Sequence, residues 1–367
     1  MPITHLFIDK AVLKAPSVDR FRSRLAIAPV VVENAREVYQ SVRQASDPIQ
    51  KGKQVLYLTQ NQGAFIKDCP GTKNYTCCGY NILHIGTFCN MDCSYCILQS
   101  YFHPPVLQFF VNHNDLFAEL TRRLLRPEIQ RIGTGEFTDS LIWEVWSDLT
   151  PRLVARFARQ SRAVLELKTK TTAVKNLATL DHNRKTIVSW SANTDAMITS
   201  EERHTSTLAA RLKAAARCVS WGYPVAFHFD PMIIYPGCEA DYRQVVDQIF
   251  THVAPANIVW ISLGTFRFMP SLKPIVASRF PDSKIIYGEF IQGLDGKMRY
   301  FKPLRIQLYR RMAQWIRSYS DEVTIYFCME DDEVWEKSLG FAPGSKGGLP
   351  HMLDASAASH CGLKIAS

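Results

Sequence analysis

The stretch Ile82-Leu83-His84-Ile85-Gly86-Thr87-Phe88-Cys89-Asn90-Met91-Asp92-Cys93-Ser94-Tyr95-Cys96 decides the fold of this chain. Ile82–Ile85 reads as a short strand, and a loop carrying three cysteines within eight residues follows it. Thiolates at that density wrap one metal centre. Structural zinc sites use four protein ligands, commonly as two separated pairs. Cys89, Cys93 and Cys96 have no fourth partner at such spacing. Iron–sulfur clusters are ordinarily held by four thiolates. Three of them leave one iron open to a substrate or cofactor, which suits a catalytic [4Fe–4S] cluster. A zinc knuckle completed by a distant Cys or His, or a set of inert buried thiols, are the alternatives.

Outward from this loop, short Val- and Ile-rich runs alternate with helical patterns. After Ile82–Ile85 the candidate strands are Gln130–Gly133, Ala163–Leu167, Thr186–Trp190, Pro224–Phe229 and Ile258–Leu263. Between the later ones lies a helix over Ser206–Cys218, with Leu208, Leu212 and Ala215 on one stripe and Thr205 or Ser206 as its cap. Strands alternating with helices imply right-handed βαβ units and a parallel sheet. The expected fold is therefore α/β: a partial or complete (β/α) barrel of about six parallel strands with N- and C-terminal additions. Its segments are 1–79, an α/β entry with a helix over Val32–Ala45 and a strand over Gln54–Thr59; 80–290, the barrel; and 291–367, a closing segment. The closing segment has an amphipathic helix through Leu304, Leu308, Met312, Trp315, Ile316 and Tyr319. A strand at Val323–Phe327, a helix near Glu333–Leu339 and a Gly-rich end from Gly344 that reads as mobile follow it.

With 367 residues, 47% of them hydrophobic, the chain can bury a large core without disulfide staples. The longest apolar run, Leu25–Val32, contains Pro29 and falls far short of the ~18 residues of a membrane span. The start Met1-Pro2-Ile3-Thr4-His5 does not resemble a secretory signal, so a cytoplasmic location is expected. In that reducing setting ten cysteines point to metal or catalysis more than to disulfides. The net charge of +9 suggests an anionic partner. Its candidate contact is Lys284 to Arg311, where cations and aromatics interleave around Arg299 and Tyr300.

Polar residues recur at the C-terminal ends of the candidate strands, where barrel active sites are built. They are Gly133-Thr134-Gly135-Glu136, Lys168 and Lys170, Ser189 to Asn193, and His228 with Asp230. Upstream of the barrel, Cys69, Cys77 and Cys78 are either small buried apolar residues or thiols acting beside the cluster.

The triplet, with Tyr95 before its last cysteine, resembles the signature of the radical S-adenosylmethionine (SAM) superfamily. More narrowly, residues 60 to 340 resemble the spore photoproduct lyase family. The resemblance is carried by Cys89 to Gln99, Thr138-Asp139, Thr169-Lys170, Ser191-Ala192-Asn193, Cys328-Met329-Glu330 and Trp335. It implies a [4Fe–4S] cluster on Cys89, Cys93 and Cys96 whose open iron chelates SAM. It also implies a SAM site lined by Gly135, Glu136, Thr138, Lys170, Ser191 and Asn193. Reductive cleavage of SAM to a 5′-deoxyadenosyl radical and hydrogen abstraction from a substrate, such as a DNA thymine photolesion, would follow. A flavodoxin or ferredoxin would be the reductant. Tyr95, Cys77 and Cys78 become candidate catalytic residues; His228, Asp230, Arg299 and Tyr300 become candidate substrate contacts. The chain departs from the lyases where they carry a hydrogen-donating cysteine, which is Glu136 or Phe137 here, and where they carry a second tyrosine, which is Ile97 here. Radical SAM chemistry on a non-DNA substrate, or a non-catalytic iron–sulfur protein, are the alternatives.

Overall fold

The computed structural model describes residues 1–69, 71, 74–103 and 105–364. Eight strands form its main sheet. They are β1 (Ile66–Asp68), β2 (Asn81–Leu83), β3 (Gln130–Gly133), β4 (Ala163–Thr169), β5 (Thr186–Ser191), β6 (Val225–Met232), β7 (Ile258–Thr265) and β8 (Thr324–Phe327). Their order in the sheet follows their order in the chain. Every pairing from β2 to β8 is parallel, and β1 runs antiparallel on β2. This is the parallel sheet of a partial (β/α) barrel, and each expected barrel strand lies in it. The sheet also draws β1 and β8 from the flanking segments.

A second sheet holds Pro29–Val32, His5–Asp9, Val55–Thr59, Leu107–Phe110 and Gly86–Thr87, in that order. The chain thus leaves β2, crosses to the second sheet at Gly86–Thr87, and enters the cysteine loop from there. Phe88 makes that turn in the left-handed region, at φ 69°, which is rare for a bulky residue. Its side chain is fully buried and its amide donates to Phe137 O at 2.8 Å. Packing and this bond hold a backbone conformation that is unfavourable in isolation.

Several local expectations are revised. The helix over Val32–Ala45 is a strand ending at Val32 followed by a helix over Ala35–Arg43, because Asn34 caps Arg36 N. The barrel helix spans Leu208–Ser220, and its cap is Thr207, which accepts from Ala210 N, not Thr205 or Ser206. The end expected to be mobile contains a helix over Leu349–Cys361. That helix docks on the sheet through Ser356 Oγ donating to Val259 O at 2.5 Å and through the 2.7 Å Arg131–Asp354 pair. In the Lys302–Arg317 helix, Leu308, Met312 and Ile316 are buried as expected, whereas Tyr319 lies past its end, is exposed, and stacks on Phe250. Among the described residues, no helix is long and apolar enough to cross a membrane.

The barrel interior is filled tightly at Tyr80. A Cβ on Gly133 would lie 1.6 Å from Tyr80 Oη and 2.9 Å from Glu166 O. Alanine at this position must displace a buried ring or the backbone of β4. We expect Gly133→Ala to lower stability by about 1–3 kcal/mol, the range of overpacked cores. Urea unfolding checks this, and an unchanged midpoint would mean that Tyr80 moves freely.

Candidate active site

The cysteine loop is held from below by buried charge. Lys53, 1% exposed, donates to Cys89 O at 3.2 Å and Met91 O at 2.5 Å, lies 3.6 Å from Asp92, and covers the Phe88 ring. Arg279 joins Asp92 at 3.0 and 3.1 Å, Asp47 at 2.8 Å, and Gln99. Gln99 in turn donates to Cys93 O and Ser94 O, both at 3.0 Å. The far side of the loop pairs antiparallel with Glu202–Arg203, setting Cys93 opposite Glu202. Ser94 N donates to Glu201 O at 2.9 Å, and Ser94 Oγ to the Glu201 carboxylate. The loop is therefore fixed along its whole length by residues that do not contain the thiols.

The three thiols are mutual electrostatic neighbours. Burial pushes the Cys89 thiol up to about 12 and the Cys93 thiol higher still. Such thiols ionise when a metal centre takes the charge. Among the described residues, no three His, Cys, Asp or Glu side chains gather around a point that suits a single metal ion. Thiolates that bind separate irons of a cubane stand further apart than the donors to one ion. A preformed loop carrying three neighbouring thiols, two of them buried, thus fits a cluster.

Glu202 organises the mouth of the barrel next to this loop. It is 3% exposed, accepts from Tyr95 Oη, meets Arg211 at 2.5 Å, and lies 3.6 Å from Lys170. Burial raises its carboxyl, but Lys170, Arg211 and the Tyr95 hydroxyl outweigh that and hold it at about 2. Lys170 also sits 5.4 Å from the Tyr95 ring centroid. Tyr95 and Lys170, chosen separately from sequence, are brought together, and Glu202, Arg211 and Lys53 were missed. The available signal was the position of Lys170 on an inward strand face, where a buried cation needs a carboxylate.

The other expected SAM residues lie along the same rim with unequal freedom. A Cβ on Gly135 would meet Lys168 Cβ at 2.8 Å and Ser140 Oγ at 3.0 Å, so glycine is required there by packing alone. Glu136 faces Lys168 at 3.5 Å and is partly exposed. Thr138 is buried beside Asp139, whose carboxylate accepts from Leu141 N, Thr169 Oγ1 and Lys170 N at 2.8–2.9 Å. Ser191 is half-buried and its carbonyl accepts from Arg211 at 2.9 Å. Asn193 is buried, donating to Pro231 O at 3.1 Å and accepting from Tyr242 Oη at 3.1 Å. Glu136 and Lys170 put a carboxylate and an ammonium on one rim, which fits the amine and carboxylate of an amino-acid group.

Of the expected substrate contacts, His228 bonds Glu166 at 2.8 Å, and both are buried. Burial raises the Glu166 carboxyl, but His228 and Lys168 outweigh it and hold it at about 2. Asp230 pairs with Arg267 at 3.1 and 3.2 Å. Arg299 is 2% exposed, bonded to Asp295 at 2.6 Å and Met329 O at 3.0 Å, and set 4.1 Å from the Tyr75 ring. Tyr300 is buried and accepts from Ile234 N at 3.2 Å. The basic stretch around them is matched by acid: Arg305 with Glu330, Lys302 with Asp331 and Glu333, and Arg311 with Glu239. Arg299 and Tyr300, expected to meet an anionic substrate, are both buried on partners within the chain.

Upstream, residues 74–80 reach the segment that follows β8. Thr76 N donates to Glu330 O at 3.0 Å, and Arg131 to Cys78 O. Cys69, Cys77, Cys78 and Cys328 line one pocket there. Cys69 and Cys328 are within electrostatic reach of Glu136, one of the two residues in place of the lyase cysteine. The other, Phe137, stacks on Tyr101 and meets His84 edge-on at 4.9 Å.

A family model described as spore photoproduct lyase matches residues 74–319, more than half of the chain. Spore photoproduct lyase of Clostridium acetobutylicum is 22% identical over 255 residues, which are 69% of this chain and 72% of that protein. The lyase of Bacillus subtilis is 26% identical over 205 residues, 54% of this chain and 60% of the relative. A solved spore photoproduct lyase variant with dinucleoside spore photoproduct superposes with a TM-score of 0.78 at 20% identity, covering 89% of this chain and all of that one. A variant with bound AdoMet and the same dinucleoside gives 0.76 at 19% identity and covers 89% of this chain. These structures show the fold. The chain belongs to the spore photoproduct lyase family and is a radical SAM enzyme of the lyase type.

Proposed function

We propose that Cys89, Cys93 and Cys96 hold a [4Fe–4S] cluster, and that the chain acts on a thymine photolesion of DNA. The observation that carries the cofactor reading is the loop itself, three neighbouring thiols scaffolded by Lys53, Arg279 and Glu201. A cluster held by Cys89, Cys93 and Cys96 would supply the one-electron chemistry that cleaves SAM reductively and so generates the radical that takes hydrogen from substrate. Glu136 receives the amine of SAM and Lys170 its carboxylate, with Gly135, Thr138, Ser191 and Asn193 shaping the rim. Lys170 keeps part of its hold on Glu202 while doing so. Tyr95, within the cluster loop, is locked on Glu202 beside Lys170 and would carry the radical on its return. A hydrogen-atom donor must hold its proton on sulfur. Burial and Cys77 keep the Cys78 thiol protonated, so Cys78 is the donor of the Cys77–Cys78 pair. His228 and Asp230 border the substrate space from β6. Electrons come from a flavodoxin- or ferredoxin-type reductant.

The substrate assignment rests on the solved relatives, which were captured with dinucleoside spore photoproduct. A second reading, the same chemistry on a non-DNA substrate, is favoured by Glu136 and Phe137 in place of the lyase cysteine and by the acid-matched basic stretch. Deuterium transfer tests both. The enzyme is reconstituted anaerobically, given SAM and dithionite, and offered deuterated dinucleoside photoproduct, undamaged DNA or free nucleosides. Label in 5′-deoxyadenosine from the photoproduct alone is the expected result. Label only from another substrate sustains the second reading. An intact cluster without any 5′-deoxyadenosine would overturn both.

A further inference from the structure

The four-cysteine pocket at the closing connection contains a pair with its own chemistry. Cys77 is exposed, Cys78 is half-buried beside it, and both line the same pocket. Extended backbone sends adjacent side chains to opposite faces, so this shared lining is a local arrangement. Gly79 follows at φ 68°, and its amide donates to Cys77 Sγ at 3.4 Å. The Arg131 guanidinium, anchored on Asp354, reaches the Cys78 carbonyl. Cys69 and Cys328 complete the lining, with Gly71, Thr76, Phe327 and Met329.

Redox-sensing cysteines are accessible, ionised near neutral pH and set next to a resolving thiol. Cys77 meets each condition. The Cys78 contact pulls its thiol down to about 6, burial opposes this, and the Gly79 amide and Arg131 add to it against Asp68. Cys78 is driven the opposite way and keeps its proton.

We propose that Cys77 and Cys78 form a peroxide-oxidisable dithiol pair. The Cys77 sulfur attacks a peroxide; the O–O bond breaks, an S–O bond forms, and the sulfur gives up two electrons. The products are Cys77 sulfenic acid and the hydroxide or alkoxide of the peroxide. The Cys78 sulfur then displaces the sulfenic hydroxyl, which leaves as water with the Cys78 proton, and an S–S bond joins the two residues. A thiol reductant reverses the step, as it does for strained disulfides. This site is separate from the cluster thiols. Its oxidation removes the Cys78 S–H from the barrel mouth, whatever substrate the enzyme takes.

The test uses the reconstituted full chain, treated with equimolar hydrogen peroxide, alkylated, digested and sequenced by fragmentation mass spectrometry. We expect the peptide holding Cys77 and Cys78 to be lighter by two hydrogens and to resist alkylation until dithiothreitol is added. In the Cys78→Ser chain we expect a dimedone adduct on Cys77. Alkylation of Cys77 without peroxide should be half-maximal near pH 6. Full alkylation of both cysteines after peroxide, a bridge from Cys77 to Cys69 or Cys328, or no dimedone adduct in the variant would each overturn the proposal. None of these readouts depends on SAM cleavage, so the proposal and the proposed function fail separately.

Discussion

Cys93→Ala should lose both the cluster absorbance and 5′-deoxyadenosine formation while keeping the fold. The argument rests on the separation between the thiols and what supports their loop. Cys93 is held by its backbone: its carbonyl accepts from Gln99 Nε2 at 3.0 Å, and it pairs across to Glu202. Lys53, Arg279 and Glu201 grip neighbouring residues and do not touch its sulfur. Alanine therefore deletes one buried sulfur and leaves the scaffold intact. The expected stability loss is about 1 kcal/mol, the scale of removing one methyl-sized group from a core. The effect on loading is far larger, because a cluster with only three protein ligands has none to spare. Iron content, visible absorbance and 5′-deoxyadenosine yield should all fall to background, with the far-ultraviolet circular dichroism unchanged. Retained iron and cleavage in this variant would remove Cys93 from the ligand set.

The barrel was legible because its strands are apolar runs bounded by turn residues. Gln130–Gly133 is bounded in the structure as read, and the other runs differ by a few residues at their ends. The helix over Leu349–Cys361 was hidden by what it buries. Its buried stripe, Leu349, Leu353, Ala357 and Cys361, is weak because half of it is small, Ser356 and Ala358 are buried beside it, and two glycines precede it. Pro350 in the first turn was the visible start signal. The site was legible where chemistry is concentrated in sequence, as in the cysteine loop and at Lys170. It was illegible where a residue acts only through a distant partner. Glu202 has no local mark, since its meaning comes from Cys93, Tyr95, Lys170 and Arg211 meeting it in space. The basic stretch shows the same limit. Asp295, which pairs with Arg299, lies within it, whereas the acids that meet Arg311, Arg305 and Lys302, namely Glu239, Glu330, Asp331 and Glu333, lie well before or after it.

Arg211→Met should destabilise the chain by about 3–5 kcal/mol, the usual result of stripping one partner from a buried ion pair. Arg211 is fully buried and reaches Glu202 at 2.5 Å, Ser206 O, Ser191 O and Thr205 Oγ1 at 2.9 Å. Methionine fills much of the volume and satisfies none of these acceptors. Glu202 then keeps Lys170 and Tyr95 but loses its closest cation. Adding Glu202→Gln to the variant should return part of the loss, because the charge left without support is removed. The pH dependence identifies the group responsible. The Glu202 carboxyl is held at about 2 in the fold against an ordinary value of 4.5. A depressed carboxyl contributes stability that is complete above its unfolded value and is lost as pH falls through its folded value. Without Arg211 the folded value rises and that contribution shrinks. The stability gap between the parent and Arg211→Met should therefore be widest above pH 5 and narrow steadily toward pH 2, as read by urea unfolding of the cluster-free chain at each pH. A gap that stays constant across this range would mean that Arg211 supports the backbone carbonyls and not Glu202.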